Sequence, residues 1–117
     1  MRVLLDENLD HRLRKSLGKH EVFTVTYKGW TGLKNGELLR AAEEDGIEIF
    51  LTGDQTLVDE QNLTGRRLAI VALSSIELPI LKNHLSLILA AIDTALPGSF
   101  QAVECGMFRR RREVPET

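Results

Sequence analysis

From one end to the other the chain alternates short apolar runs of strand character with stretches of helical periodicity, and this alternation constrains its fold most. Arg2 to Leu5 reads as a buried first strand. Leu9, Leu13 and Leu17 then recur at helical spacing, with Gly18 as the stop signal. Glu21 to Thr26, carrying Val22, Phe23 and Val25, is the second strand. A glycine-rich, partly basic loop from Lys28 to Lys34 follows. Asn35 is placed to cap a helix running to about Asp45, with Leu38, Leu39 and Ala42 facing inward. Gly46 ends that helix, and Ile47 to Leu51 is the third strand. A short helix from about Gln55 to Asn62 leads to Leu68–Leu73, the fourth. Ser75 then caps the longest helix, where Pro79 is tolerable because it lies in the first turn. Its buried stripe is Leu81, Leu85, Ile88 and Ile92, and Pro97-Gly98 terminates it. Phe100 to Cys105 alternates like an edge strand. Strand and helix in strict order predict right-handed βαβ crossovers and an α/β fold. The expected architecture is a three-layer α-β-α sandwich around a mostly parallel five-stranded sheet.

Size and composition agree with one domain. At 117 residues and 43% apolar content the chain can close a real core, expected over residues 1–106, with residues 107–117 as a basic, flexible tail. Nothing resembles a signal peptide, and no stretch reaches the roughly 18 apolar residues needed to cross a bilayer. The single cysteine, Cys105, cannot form an internal disulfide, so a reducing cytoplasm is the default and no membrane partner is expected. The net charge of −2 argues against a strongly basic nucleic-acid-binding surface overall, although Arg109, Arg110, Arg111 and Arg112 concentrate four of the 15 basic residues in the tail.

The chemistry lies where apolar runs end in acids. Leu4-Leu5 is followed by Asp6-Glu7-Asn8, and Ile49-Phe50-Leu51-Thr52-Gly53 by Asp54. In open parallel sheets ligands bind beyond the carboxyl ends of the strands, near the point where strand order reverses. If the first and third strands are neighbours, Asp6, Glu7 and Asp54 emerge at one edge. Glu37, in the first turn of the helix after the second strand, can point to the same end. Like charges about 4 Å apart cost of order 1 kcal/mol in water and more when partly buried. A divalent cation, Mg²⁺ or Mn²⁺, relieves that repulsion and creates a phosphate-binding centre.

Leu4-Leu5-Asp6-Glu7-Asn8-Leu9, Asn35-Gly36-Glu37-Leu38-Leu39 with Ala41-Ala42, and Leu51-Thr52-Gly53-Asp54 followed by Gln61-Asn62-Leu63 resemble the PIN-like domain family. The likeness is to its small stand-alone bacterial branch, related to the toxin ribonucleases of toxin–antitoxin pairs, and it covers roughly residues 1–105. It implies a five-stranded parallel sheet between helices and Mg²⁺- or Mn²⁺-dependent cleavage of RNA. It also implies a cognate antitoxin as partner, and homodimers are common among look-alike proteins. Carried over residue by residue, Asp6 matches the first-strand acid and Glu37 the acid opening the second helix. Asp54 matches the acid of the Thr-x-Asp motif, and Thr52 is the hydroxyl that orients it or the attacking water. Two positions depart from the pattern: Thr56 stands where a further acid often follows, and Ser74-Ser75 follow the fourth strand in place of an acid. Glu77 and Asp59 are possible substitutes.

Each of these residues also has a plainer reading. Asp6, Asn8 or Asp54 could cap the helix that follows it. Glu7 could be a solvated surface charge, and Glu37 sits where any acid is favoured by the helix dipole. Glu7 and Asn8 are accessory candidates. Trp30, between Lys28 and Lys34, is placed to stack on an unpaired base, to pack on the core or to contact a partner. The arginine tail could contact RNA phosphates, an antitoxin or a sister subunit. His11, His20 and His84 show no mutual ligand spacing. Two rival functions stay open: a PIN-like binding module without catalysis, and a phosphorylation receiver with Asp54 as acceptor and Ser74 or Ser75 as its hydroxyl. The receiver lacks its lysine after the fifth strand, where Glu104-Cys105-Gly106 stands.

Overall fold

A computed structural model describes residues 1–57 and 65–105. Five parallel strands form one sheet: β1 (Arg2–Leu5), β2 (Glu21–Thr24), β3 (Ile49–Thr52), β4 (Ala69–Leu73) and β5 (Phe100–Val103), in the order β2-β1-β3-β4-β5. Between them lie a 3₁₀ helix (His11–Ser16), α1 (Asn35–Glu44), α2 (Leu78–Lys82) and α3 (Leu85–Thr94). The sheet is parallel throughout. The central strands β3 and β4 are buried at every position, as their nearly uninterrupted apolar sequence requires.

Alternation along the strands divides the core in two. Val3, Leu5, Ile49, Leu51, Val71 and Leu73 face one layer, built from Leu13 and Leu17 of the first helical segment and Leu81, Ile88 and Ile92 of α2 and α3. Leu4, Phe50 and Ile70 face the other, where Leu38, Leu39 and Ala42 of α1 pack together with Leu57. Helices therefore cover both faces, and the three-layer α/β arrangement follows.

The crossovers do not all share one hand. The β2-to-β3 and β4-to-β5 connections step in the same direction across the sheet, yet α1 lies on one face and α2–α3 on the other. Two parallel crossovers with the same step on opposite faces must have opposite hands. The β1-to-β2 connection steps the other way on the face opposite α1, so it shares the hand of the β2-to-β3 connection. The β4-to-β5 crossover is the odd one, against the uniform right-handedness that strict alternation predicts. Packing offsets that preference, because α2 and α3 bury Leu81, Ile88, Ala91 and Ile92 against the layer of the 3₁₀ helix.

Local differences from the sequence reading have local causes. Leu9, Leu13 and Leu17 are buried as their spacing requires, but the segment is a single 3₁₀ helix capped by Asp10, whose side chain accepts from the Arg12 N–H. The long helix is broken at Asn83-His84, where His84 leaves helical geometry (φ −124°, ψ 24°) and its Nδ1 lies 2.8 Å from the Ile80 carbonyl. Pro79 does sit in the first turn, behind Glu77 rather than Ser75 as N-cap. Lys34, not Asn35, precedes α1 as N-cap. Most of the short helix expected over 55–62 lies outside the described residues, as does the tail with Arg109, Arg110, Arg111 and Arg112. Among the described residues no helix is long and apolar enough to cross a membrane.

Candidate metal centre

The chain runs from β1 outward to β2, then returns past β1 to β3, so strand order reverses between β1 and β3. Leu5 pairs with Leu51 at the last rung, and the Asp6 N–H extends the ladder to the Leu51 carbonyl at 2.9 Å. Asp6 and Thr52 consequently stand side by side at the carboxyl edge. Both continue the alternation of Leu4 and Phe50, which places them on the α1 face of the sheet.

Thr52 is fully buried and links the two acids. Its hydroxyl donates to Asp6 Oδ2 at 2.6 Å and accepts from the Asp54 N–H at 3.0 Å. Asp6 Oδ1 takes the Glu7 N–H at 2.7 Å. Asp54 Oδ1 accepts both the N–H and the hydroxyl of Thr56, at 2.9 and 2.6 Å, so Asp54 shapes the turn after β3 as a cap would. Asn8 holds the same edge together, its Oδ1 accepting the Gly53 N–H at 3.2 Å.

Burial pushes the Asp6 carboxyl above its ordinary value of 3.8. Its bonds from Thr52 and the Glu7 N–H pull down, and the charge of Asp54 pushes up again. Asp6 and Asp54 are therefore close enough to repel. Each Asp6 oxygen keeps a second lone pair after these bonds, whereas Thr56 occupies both lone pairs of Asp54 Oδ1, so Asp54 would ligate through Oδ2. Mg²⁺ is commonly held by one or two carboxylates, with waters and substrate phosphate completing its shell. The two-acid donor set fits such an ion, and binding it would relieve the repulsion between the acids. Among the described residues no group of three His, Cys, Asp or Glu side chains is placed to hold one metal.

The remaining candidates fall around this pair or away from it. Glu37 is exposed at the start of α1 and accepts the Lys34 N–H at 3.4 Å, so the structure does not gather it with Asp6 and Asp54. Glu7 is exposed beside Asp6 and lines a cavity of about 510 Å³ between the ends of β1 and β2. Trp30 is half-buried against the α1-side core, with the Lys28 ammonium 5.9 Å from its ring centroid, which is the packing role. Cys105 is buried, and burial pushes its thiol up, away from reactivity. His11, Thr24 and Thr26 line the cavity with Asp6 and Glu7. No spacing in the sequence marks them, because strand pairing and the start of the 3₁₀ helix bring them there.

No family model matches the chain, and neither a curated protein nor a solved structure matches it significantly. The function has to be argued from the site.

Proposed function

We propose that this protein is a Mg²⁺- or Mn²⁺-dependent phosphodiesterase of the PIN-like type, an endoribonuclease acting as the toxin of a toxin–antitoxin pair in the cytoplasm. The observation that carries the reading is the Asp6–Thr52–Asp54 linkage at the strand-order switch point. Asp6 and Asp54 would hold the ion, which when bound would neutralise phosphate charge and acidify a water. Thr52 keeps the Asp6 carboxylate in one orientation and ties the backbone of Asp54 to it. Asn8 clips the two loops together, so the acids keep their separation as substrate arrives. Glu37, which the structure does not gather with the pair, would act through water rather than by direct contact.

The count of converging acids favours a second reading, a PIN-like module that binds metal or nucleic acid without turnover, since among the described residues two acids meet at the edge and Asp59 lies outside them. The receiver alternative shares the order 2-1-3-4-5. Two observations weigh against it. The Ser74 hydroxyl is engaged by the Cys105 N–H at 2.7 Å, and the last crossover leaves the uniform hand of a doubly wound fold.

Thermal unfolding with Mn²⁺ and an RNA cleavage assay test the proposal together. At a concentration 100 times its dissociation constant, Mn²⁺ should stabilise the wild type by about 2.7 kcal/mol. Asp6→Asn and Asp54→Asn should lose both that stabilisation and the cleavage. Cleavage that persists in both variants would sink the site, and metal binding without cleavage in the wild type would support the non-catalytic module.

A further inference from the structure

Glu7 stands at the carboxyl edge with no part in the Asp6–Thr52–Asp54 linkage. Its N–H is spent on Asp6 Oδ1 at 2.7 Å, which fixes the residue beside that carboxylate. Its own carboxylate has no hydrogen bond or ion pair among the described residues, and the residue is exposed. Among those residues no three acids or imidazoles are placed to hold one metal, so Glu7 does not complete the donor set of the pair.

Glu7 lines instead the cavity of about 510 Å³ between the ends of β1 and β2, a volume in the range of small-ligand sites. Asp6 lines the same cavity, so a group that fills it lies next to whatever the acid pair holds. Leu5 and Leu9 of the 3₁₀-helix layer and Val25 of the α1 layer line it too, so the cavity straddles the sheet edge. Thr24 lines it from β2. Its Oγ1 accepts the Tyr27 N–H at 3.0 Å, which leaves the hydroxyl proton to be donated elsewhere.

A free acceptor and a free donor beside apolar carbon suit a sugar, whose hydroxyls do both and whose C–H face packs on carbon. An ionised carboxylate only accepts, so it repels phosphate oxygens and needs a partner that brings a proton. In a ribonucleotide the 2′-hydroxyl brings one, on the carbon adjacent to the one bearing the 3′ phosphate. A deoxyribonucleotide has no donor there. Acidic side chains take ribose hydroxyls in nucleotide sites, and the 2′-hydroxyl is the group by which a protein tells RNA from DNA.

We infer that Glu7 is the sugar-selecting residue of this site. With a phosphate at Asp6 and Asp54, its carboxylate accepts the 2′-hydroxyl of the adjoining ribose, seated in the cavity, and so favours RNA over DNA. The place of the phosphate rests on the phosphodiesterase reading above.

The test is fluorescence anisotropy of fluorescein-labelled hexauridylate and hexadeoxyuridylate, identical in their bases, with Ca²⁺ in place of Mg²⁺ to slow turnover. Wild type should bind the ribose strand roughly 10- to 100-fold more tightly, the difference expected when a charged acceptor gains or lacks its donor. Glu7→Ala should bring the two affinities to within about 3-fold of each other by weakening the ribose strand alone. Glu7→Gln, which keeps a neutral acceptor, should fall between. Because the side chain is exposed and is not a ligand, both variants should keep the wild-type thermal midpoint and its response to Mn²⁺. The assignment is overturned by undetectable wild-type binding or by equal wild-type affinity for the two strands, as a contact to the base would give. It is overturned equally by a preference that survives Glu7→Ala, by both strands weakening alike in that variant, or by loss of its Mn²⁺ response. A Glu7-dependent ribose preference without Mn²⁺-dependent cleavage keeps the assignment and removes the hydrolytic reading. Cleavage with a Glu7-independent preference does the reverse.

Discussion

Replacing Thr52 by valine isolates the linkage on which the site depends. Valine matches threonine in shape but has no hydroxyl, so the change removes two hydrogen bonds and little volume. The first is the 2.6 Å bond to Asp6 Oδ2, a bond to a charged acceptor worth about 1.5–3 kcal/mol. The second leaves the Asp54 N–H without its acceptor. Asp54 is only half-buried, so water recovers part of that loss, and we assign it about 0.5–1 kcal/mol. The sum is a destabilisation of roughly 2–4 kcal/mol at pH 7, or about 10–20 °C in thermal midpoint for a domain of this size. Because the stronger bond is made to the ionised carboxylate, the cost should fall by about half once Asp6 is protonated. Urea titrations of wild type and Thr52→Val at pH 7 and at pH 3, below the ordinary carboxyl value that native Asp6 exceeds, measure both quantities, and Thr52→Ser, which keeps the hydroxyl, should recover most of the loss. A cost below about 1 kcal/mol, or one equal at the two pH values, would refute the assignment of Thr52 as the donor that holds Asp6.

Asp6 itself gives a pH signature. The native state holds its proton more tightly than the unfolded chain, whose value is near 3.8, so its contribution to stability falls as pH rises from there through the raised native value and stays lost above it. The stability of wild type relative to Asp6→Asn should therefore decline between pH 3 and pH 7 in urea titrations, and a difference that is flat or grows with pH would be inconsistent with a raised native value. At Gly53 an added Cβ would collide with Ile76 Cγ2, on a branched side chain with little freedom to turn away. Gly53→Ala should cost about 1–3 kcal/mol alone and under about 1 kcal/mol in an Ile76→Ala background. Additive costs in that double-mutant cycle would mean that the two residues do not touch.

The strands and the acid pair were legible in the sequence because both depend on local pattern. Arg2–Leu5 is β1 as read, and the other strands shift by one or two residues at their ends, where capping and the last ladder bonds decide. The strand-end acids could be paired because parallel neighbours expose their carboxyl ends together. What the sequence hid was non-local. Nothing near Glu37 shows that its carboxylate turns back to the Lys34 N–H. The break at Asn83-His84 is a contest between helix continuation and a side chain reaching the Ile80 carbonyl, which apolar spacing does not register. His11 and Thr24 become neighbours of Asp6 only through strand order, and the family resemblance fixes attention on acids alone.

The reversed hand of the last crossover bears on the order in which the site is assembled during synthesis. Asp6, Thr52 and Asp54 all belong to the first half of the chain, which a ribosome delivers first. Ile76, which packs on Gly53 between them, comes from the segment that leaves β4 for the opposite face. The crossover rests in part on contacts distant in sequence, those of α2 with the 3₁₀ helix, and such contacts form after local ones. The acids are thus present early, but the loop carrying Asp54 is not clamped until the final third of the protein has folded over it. A nascent chain would carry both acids well before their spacing was fixed.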